Sequence, residues 1–522
     1  MHGIELVLIS LLVSVAGLAA AARAVNIPYP IVLVVGGLFL GFVPGLPDVE
    51  LEPELVLVIF LPPLLYSAAF FADLHELRRN LRPISLLAVG LVIATMCTVA
   101  VVAHALIDGI PWAAAFALGA IVAPTDPVAA TAVARRLAAP RRIISVIEGE
   151  SLVNDGTALV AYRVAVAAAV GGSFSLLDAG IDFVLGAIGG IAIGLVVGWV
   201  ISEIRRRIDD IPIEVTVSLL SGYAGYVPAE AIHASGVLAA VTVGIVLGWR
   251  APQISTASMR LTGFAVWEIL VFLLNALLFV LIGLQLPVIL DGLSGEPTGT
   301  LILQAAAVSL AVIVTRIVWM NTVVYVIRAI DRRPQQRARR TTFRFRMIGA
   351  WAGMRGSVSL AAALALPLDF PQRDIVLFLT FSVIFVTLVL QGLTLPKVIR
   401  WANLRDDGAE EREELIARRA AVDAALLRLD ELAAEAWTRD ETAERMRGMY
   451  EYRRNRLAAR AGESDDRDGI EHRSLKYQKM VRSVLDAQRD EIVRLRNSGV
   501  ISNDVMHRIE RELDLEDERL EI

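Results

Sequence analysis

The sequence predicts an all-α integral membrane protein with about thirteen transmembrane helices arranged as inverted repeats, followed by a helical cytosolic tail. Hydrophobic residues make up 56% of the 522-residue chain. Apolar runs of about 20 residues, each long enough to cross a bilayer, recur as far as residue 402. After Leu404 the composition changes abruptly to charged residues, Ala and Leu. We therefore expect a membrane domain over residues 1–402 and a cytosolic domain over residues 403–522.

Each predicted span is an apolar run that matches a hydrocarbon core roughly 30 Å thick. The first 23 residues lack a basic segment before their apolar run, so we expect them to form the first span and not a cleaved signal peptide. The thirteen spans cover residues 4–23, 28–46, 54–72, 84–106, 111–134, 143–170, 181–201, 213–229, 233–249, 263–287, 300–327, 346–366 and 374–397.

The loops between these spans alternate in charge, which supports the count. Lys and Arg are retained on the cytoplasmic side of a membrane, so we expect the N-terminus outside and the tail in the cytoplasm of a plasma-membrane protein. The loops assigned to the outside carry Asp48, Glu50, Asp108, Asp178, Glu230, Asp291 and Glu296, and the cytoplasmic loops carry Arg23, Arg78, Arg79, Arg82, Arg135, Arg136, Arg141, Arg142, Arg205, Arg206, Arg207, Arg250, Arg260 and the arginines of residues 328–346.

Two prolines interrupt the predicted fifth span. Pro124 and Pro127 each remove a backbone donor and disfavour helical geometry in the preceding residue, so we expect the helix to break at Thr125 and Asp126. Such backbone is tolerated at membrane depth only where it is buried in protein or lines a wet cavity. Asp126 lies about 14 Å along a helix from Arg135, and a carboxylate at this depth indicates an ion or proton path.

The sixth span adds a second group of polar residues. Ser151 and Asp155 are i, i+4 neighbours, and Glu150 with Asn154 forms the adjacent row. Carboxylate, hydroxyl and carbonyl oxygens suit an alkali cation or a proton better than a soft metal. Asn154 has an alternative role as a cap for the broken helix, and Glu148 is either a neutral acid or a helix-start residue near the inner interface.

Two arginines in later spans supply countercharge. Arg316 and Arg355 are predicted at depths similar to that of Glu150, and a guanidinium there needs a carboxylate or carbonyl partner. We expect structural ion pairs among these three residues, with Glu150 paired to one of the arginines. For Glu268, in the tenth span, a core polar contact and an accessory role both remain open.

Residues 353–356 (GMRG) indicate a second helix interruption, in the twelfth span. This position is seven spans after Thr125 and Asp126. An odd offset reverses the direction of the chain across the membrane, so the two halves are expected to form an inverted repeat whose broken helices cross near the midplane.

These motifs resemble the monovalent cation:proton antiporter family, and in particular the bacterial sodium/proton exchangers of its electroneutral branch. The Asn154–Asp155 pair carries the assignment to that branch, because electrogenic relatives have a second Asp at the first position. One departure is Ser67, which stands where some relatives have an acidic residue. The matching segments are residues 62–66 (PPLLY), 125–127 (TDP), 150–155 (ESLVND), 235–239 (SGVLA), Arg316 and residues 353–356.

The resemblance implies roles for the polar residues. Asp155 would be the essential carrier of cation and proton, with Thr125, Asp126 and Ser151 completing the site for the transported monovalent cation. Asn154 would belong to the same site, whereas Glu150, Arg316 and Arg355 would be structural. The resemblance also implies a homodimer.

The sequence therefore predicts a secondary antiporter that exchanges Na⁺ for H⁺ one for one by alternating access and serves pH homeostasis. A K⁺/H⁺ exchanger and a proton-coupled transporter of an organic solute are the alternatives. No nucleotide-binding GxxxxGK[ST] segment is present, the single Cys97 allows no intrachain disulfide, and we expect no enzyme activity, no cofactor and no nucleic-acid partner. A cation channel would not need two broken helices, an organic-anion transporter would show unpaired arginines, and an intramembrane hydrolase would need a nucleophile.

Overall fold

The computed structural model describes residues 2–25, 27–43, 53–171, 176–293, 295–330, 341–404, 408–435, 437–461 and 467–521. Within these ranges the chain forms helices and no strand. The chain divides into two compact units, residues 1–406 and residues 407–522, which are described separately below.

The first half of the membrane unit holds the first predicted helix break. The fourth span begins with short helices and contains a π-helical stretch at Leu86–Leu91. The helices are α1 (His2–Val25), α2 (Tyr29–Gly41), α3 (Pro53–Phe70), α4 (Leu74–Arg79), α5 (Leu81–Ser85), α6 (Val92–Leu106), α7 (Trp112–Ile121), α8 (Pro127–Arg136) and α9 (Arg141–Gly171).

The second half holds the second break, between α15 and α16. A further π-helical stretch, Thr387–Gln391, joins α17 to α18. The helices are α10 (Leu176–Arg205), α11 (Ile211–Ala231), α12 (Gly236–Ile254), α13 (Ala257–Gly292), α14 (Thr298–Ile330), α15 (Phe343–Trp351), α16 (Ser357–Leu364), α17 (Arg373–Val386) and α18 (Gly392–Ala402).

The predicted all-helical membrane fold is confirmed. Each of the thirteen predicted spans coincides with a helix or an interrupted helix, and the fifth and twelfth are the two broken ones. Seven helices of the described chain are individually long and apolar enough to cross a membrane. Both π-helical stretches lie within helices of this set, whereas the fifth and twelfth spans are divided by their breaks into shorter helices.

The helices of the membrane unit pack in two groups. The first group contains α1–α3 and α10–α13, in which α2 packs along α13 and α12 packs against α3, α10 and α11. The second group contains α5–α9 and α14–α18, and therefore both broken helices. Helices α8, α9, α16 and α17 of the second group contact helices of the first group. We refer to the boundary between the two groups as the seam.

Small side chains bring the first broken helix into the interior. Ala114, Ala115 and Ala117 of α7 are fully buried, and α7 packs against α6 and α9. Small residues allow helix backbones to approach closely where no water-driven hydrophobic force acts. As a result the chain enters the break at Val122 already surrounded by protein.

The described residues of the second unit form four helices: α19 (Ala409–Ala433), α20 (Asp440–Arg460), α21 (Arg467–Asn497) and α22 (Asn503–Glu521). Helices α21 and α22 bury Leu485, Ile492, Met506 and Leu513 against each other. Ser502 caps α22, since its Oγ accepts from the Val505 N–H at 3.3 Å. The polar sequence of residues 463–469 suggests a linker, but residues 467–469 form the first turn of α21, and residues 463–466 lie outside the described chain.

Candidate functional site

The break in the fifth span is built by its prolines. Pro127 is the first residue of α8, where a missing N–H costs nothing, and the extended backbone of Asp126 precedes it. The Asp126 carboxylate accepts from the Val128 N–H at 2.8 Å and so caps α8. The Asp126 N–H donates to the Met354 carbonyl at 2.8 Å. The two breaks therefore touch through their backbones.

Thr125 and Asn154 connect this break to the sixth span. The Asn154 side-chain amide donates to Thr125 Oγ1 at 2.9 Å, and Thr125 Oγ1 donates to Glu150 Oε1 at 3.3 Å. The alternative role of Asn154 as a backbone cap of the broken helix is wrong, because its amide donates to the Thr125 hydroxyl and not to a backbone group.

Glu150 forms the ion pair expected with one of the arginines, and the partner is Arg316. Both Glu150 carboxylate oxygens accept from Arg316, with Nη2 and Oε2 2.8 Å apart. Arg316 also donates from Nε and Nη2 to the Gly349 carbonyl at 3.1 and 3.0 Å. Both side chains are 2% exposed. A Cβ on Gly353 would overlap the Arg316 side chain, so the second break needs glycine at this position.

Arg355 does not form the ion pair predicted for it. Its guanidinium donates to the Ala123 carbonyl, and no carboxylate of the described chain lies within ion-pair distance. The backbone N–H of Arg355 donates to Thr387 Oγ1 at 3.0 Å. The physical reason is that the first break leaves the Ala123 carbonyl without a helical partner, and the fully buried guanidinium satisfies it.

Asp155 is the carboxylate that the surrounding protein leaves least satisfied. It is 5% exposed, and its Oδ1 has no hydrogen-bond partner among the described residues. Asn154 Oδ1 is likewise buried without a hydrogen-bond partner among these residues. A buried polar atom without a partner is costly, so such an atom usually marks a position where a ligand or water binds.

Asp155, Asp126, Thr125 and Ser151 all line one cavity of about 620 Å³ between the two helix groups. Gly356 also lines it, and a Cβ there would overlap the Asp126 carboxylate. The sequence-predicted residues of the cation site are thus brought together at one cavity wall. The remaining four members of the predicted set do not line the cavity and are buried in the protein: Asn154, Glu150, Arg316 and Arg355.

The cavity extends to charged residues at one end of the membrane unit. Arg135 and Glu148 line it there and form an ion pair of 2.8 Å, in which both side chains are substantially exposed. Glu148 is therefore ion-paired at the cavity mouth. Asp73 lines the same end and pairs with Arg141 at 2.8 Å.

The opposite wall belongs to the first helix group. Glu268 and Asn275 of α13 face the cavity, two helical turns apart. Ser67 of α3 also lines it, but its hydroxyl donates to the Leu64 carbonyl of its own helix at 2.9 Å. The core polar contact considered for Glu268 is wrong, since the residue is exposed at the cavity, and its accessory role stays a prediction.

The donor set is limited to oxygen. No group of three or more His, Cys, Asp or Glu side chains that could hold a metal is found in the described chain. Two carboxylates with Thr and Ser hydroxyls offer few charges and hard oxygen ligands, which suits a weakly bound monovalent cation.

The sequence analysis missed Thr387, Gly349 and the Ala123 carbonyl. Thr387 lies in the π-helical stretch of the thirteenth span, and its hydroxyl orients the Arg355 backbone. A threonine in an apolar span was its only sequence signal. The Ala123 carbonyl was marked in the sequence by Pro127, which lacks the N–H that would bond it in a helix. The Gly349 carbonyl carries no signal, because every residue has a carbonyl group.

Comparison with known proteins supports these observations. A family profile described as "Sodium/hydrogen exchanger, transmembrane" matches residues 8–401. An uncharacterized Na⁺/H⁺ exchanger of Mycobacterium tuberculosis is 38% identical over 505 residues, which cover 94% of this chain and 91% of that protein. The Na⁺/H⁺ antiporter ApNhaP of Aphanothece halophytica is 33% identical over 490 residues, which cover 92% of this chain and 90% of that protein.

A solved structure has the same fold. The sodium proton antiporter MjNhaP1 of Methanocaldococcus jannaschii matches with a TM-score of 0.60 at 20% identity, over 77% of this chain and 99% of that chain. The match of the family profile to most of the chain and the similarity to the two exchangers agree with the broken helices and the buried acidic site. The chain belongs to the sodium/hydrogen exchanger family, a family of multi-pass membrane transporters and not of enzymes.

Proposed function

We propose that this protein exchanges Na⁺ for H⁺ one for one, and that Asp155 carries both ions. The observation that carries this proposal is the buried Asp155 oxygen without a protein partner, located at the wall of a cavity beside the crossing helix breaks. Thr125, Asp126 and Ser151 supply the further oxygens for the cation.

Competition at one carboxylate accounts for the coupling. A buried carboxylate needs its charge neutralised, and either a proton or a cation does this. The two ions therefore exclude each other at Asp155. If the second helix group moves along the seam only when one of them is bound, each Na⁺ that crosses in one direction is matched by one H⁺ in the other.

The neighbouring residues support a stoichiometry of one to one. Asn154 is neutral and its amide is committed to Thr125. Asp126 is committed by one oxygen to capping α8. Glu150 is neutralised by Arg316. Asp155 is left as the carboxylate free to change its partner, so the loaded site carries the same charge with Na⁺ as with H⁺.

The orientation of the chain follows from the basic loops. We propose that the N-terminus lies outside and the tail in the cytoplasm, with the cavity open to the cytoplasm, since its mouth lies beside Arg135 and Arg141. Labelling with a membrane-impermeant maleimide tests this in a Cys97→Ser background. Arg207→Cys should react only from the cytoplasmic side and Asp108→Cys only from outside. The reverse pattern would contradict the orientation.

The exchange reaction is tested in proteoliposomes that contain pyranine. External Na⁺ should alkalinise the lumen, and the rate should be unchanged when K⁺ and valinomycin clamp the membrane potential at zero. Li⁺ and K⁺ are tested separately, the latter without valinomycin, which decides between Na⁺/H⁺ and K⁺/H⁺ exchange. Absence of a response to every alkali cation would contradict the proposed exchange and favour an organic solute.

A matched pair of variants tests the role of Asp155. Asp155→Asn should abolish cation-dependent alkalinisation, whereas Asp108→Asn, which removes an exposed acid far from the cavity, should retain the wild-type rate. Exchange by Asp155→Asn at the wild-type rate would exclude Asp155 as the carrier without excluding the exchange itself.

We propose a homodimer on the basis of the family resemblance. Light scattering of the purified protein, corrected for detergent, should give twice the 56.5 kDa mass of one chain. A protein mass equal to one chain at all concentrations would contradict the dimer.

A further inference from the structure

Three arginines lie where α14 ends, α15 begins and α18 ends. Arg328 and Arg346 both donate to the Thr341 carbonyl, at 3.4 and 3.0 Å. Both guanidinium groups also lie over the Tyr325 ring, 5.4 and 5.8 Å from its centre. Arg344 lies over the Trp401 ring at 5.8 Å. We refer to Arg328, Arg344 and Arg346 as the arginine cluster.

The cluster has no anionic partner within the described chain. None of its three members has a carboxylate within ion-pair distance there. Arg346 is 5% exposed, so water neutralises its charge poorly. Arg328 Nε is buried without a hydrogen-bond partner among the described residues. Like charges that share one carbonyl repel each other, and an anion between them would remove this cost.

The helix that follows increases the positive charge. Arg344 and Arg346 lie in the first turn of α15, which contains no acidic residue. The N-terminus of a helix already carries a partial positive charge, so basic residues there are unfavourable unless an anion is present. The adjoining segment, residues 331–340, contains five arginines and one acid, Asp331.

Four other arginines near the ends of spans have acidic partners. Arg79 pairs with Glu76, Arg205 with Glu214, and Arg206 and Arg207 with Glu203. The arginine cluster differs from these in having only carbonyl, amide and aromatic contacts. The difference indicates that its counter-ion comes from outside the described chain.

We propose that the arginine cluster binds the phosphate headgroup of an anionic membrane lipid. Arginine forms bidentate contacts with phosphate, and basic clusters just cytoplasmic of a membrane helix attract anionic lipids. The surrounding rings favour a lipid over free phosphate. Trp401 and Phe343 are exposed by about half, and their rings meet edge to face at 6.4 Å. Tryptophan is enriched at membrane–water interfaces, where one side of its ring meets lipid.

The site would act on transport through α15. This helix of nine residues leads from the cluster to the Gly349 carbonyl, which holds Arg316, and to the second break. A lipid headgroup that holds the start of α15 in place would therefore also hold the Gly349 carbonyl and, through it, Arg316.

Native mass spectrometry of the full-length protein tests the proposal. The protein in detergent is titrated with phosphatidylglycerol, phosphatidylcholine and, in a separate arm, inorganic phosphate, while thermal unfolding is followed in parallel. We expect retained phosphatidylglycerol and a higher Tm with that lipid only. Stabilisation by inorganic phosphate equal to that by phosphatidylglycerol would overturn the assignment to a lipid.

The variants separate the cluster from general surface charge. Arg344→Gln, at an exposed position that should not affect folding, and the double variant Arg328→Gln/Arg346→Gln should weaken phosphatidylglycerol binding about fivefold for each arginine removed. The control Arg206→Gln/Arg207→Gln removes two ion-paired surface arginines and should bind as the wild type does. Wild-type binding by Arg344→Gln, or equal weakening in the control, would overturn the proposal.

Discussion

Glu150 and Arg316 are charged residues at a depth where neither could remain charged alone. Each is almost completely buried, and Arg316 is held further by the Gly349 carbonyl. A buried ion pair gains little over an apolar pair of the same shape, but removing one partner leaves an isolated charge. Their contribution is therefore to position Thr125 and the second break, and the two residues depend on each other.

This dependence predicts a non-additive pair of substitutions. Glu150→Gln should destabilise the protein by about 3–5 kcal/mol, because the Arg316 charge stays buried without its carboxylate. Adding Arg316→Gln should restore part of the loss. Thermal unfolding followed by size-exclusion chromatography measures both. Destabilisation by the double variant equal to the sum of the single ones would show that the residues act independently.

The close packing of Gly356 against Asp126 can be tested by adding a single methyl group. The Cα of Gly356 lies so close to Asp126 that an added methyl group overlaps the carboxylate. We expect Gly356→Ala to displace Asp126 and to lower the Na⁺/H⁺ exchange rate by about tenfold or more, since small displacements of positioned groups are costly. Gly263→Ala is the control, because a methyl group there meets nothing within 4 Å. Equal rates in the two variants would contradict the packing argument.

The sequence predicted the polar residues of the site better than it predicted their partners. Asp126, Asp155 and Thr125 were found because carboxylates and prolines are rare at membrane depth. Arg316 and Arg355 were indistinguishable, since they have the same chemistry and a similar predicted depth. Which arginine meets Glu150 depends on how two distant helices pack, and that information is not present in either span alone.

At the scale of elements, α9 is one of the helices that contact the first group across the seam. It carries Asp155 and forms an ion pair near each of its ends. Arg163 Nη2 contacts both oxygens of Glu230 at 2.7 and 2.6 Å, and Arg141 pairs with Asp73 at 2.8 Å. Glu230 belongs to α11 of the first group, so movement of the second group along the seam would have to break its ion pair with Arg163.

We expect the ion pair between Arg163 and Glu230 to stabilise the state shown by the structure, in which the cavity is open at the end that carries Arg135 and Glu148. Arg163→Gln should shift the population away from that state by up to about fivefold, the range for an exposed pair worth about 1 kcal/mol. Thr131→Cys, which lines the cavity, reports the shift in a Cys97→Ser background through slower reaction with a maleimide added from the cavity side.

The control for this experiment is Arg206→Gln, which breaks an ion pair within α10 and not across the seam. It should leave the labelling rate of Thr131→Cys unchanged. Faster labelling in Arg163→Gln than in the parent would show that the pair opposes the cavity-open state.

For the whole molecule, the span count was predictable and the grouping of the spans was not. Hydropathy and the charge of the loops reflect the membrane itself, which acts on every span in the same way. The apolar side chains of α10 and α13 look alike in sequence, yet Leu185 and Val196 are more than 60% exposed while Phe279 and Ile282 are fully buried. Lipid and the protein interior are equally apolar surroundings, so hydrophobicity alone does not show which face of a helix meets lipid and which meets protein.

The division of the chain into two units predicts the effect of removing the tail. Every residue of the candidate site lies within residues 1–406, together with its own hydrophobic core. We therefore propose that residues 407–522 form a separate domain and expect a protein truncated after residue 406 to retain Na⁺/H⁺ exchange that Asp155→Asn abolishes. Pyranine-loaded proteoliposomes measure this at several values of pH. Loss of exchange by a truncated protein that still elutes as a single folded species would show that the tail takes part in transport, and an unchanged maximal rate with a shifted pH profile would assign it to regulation.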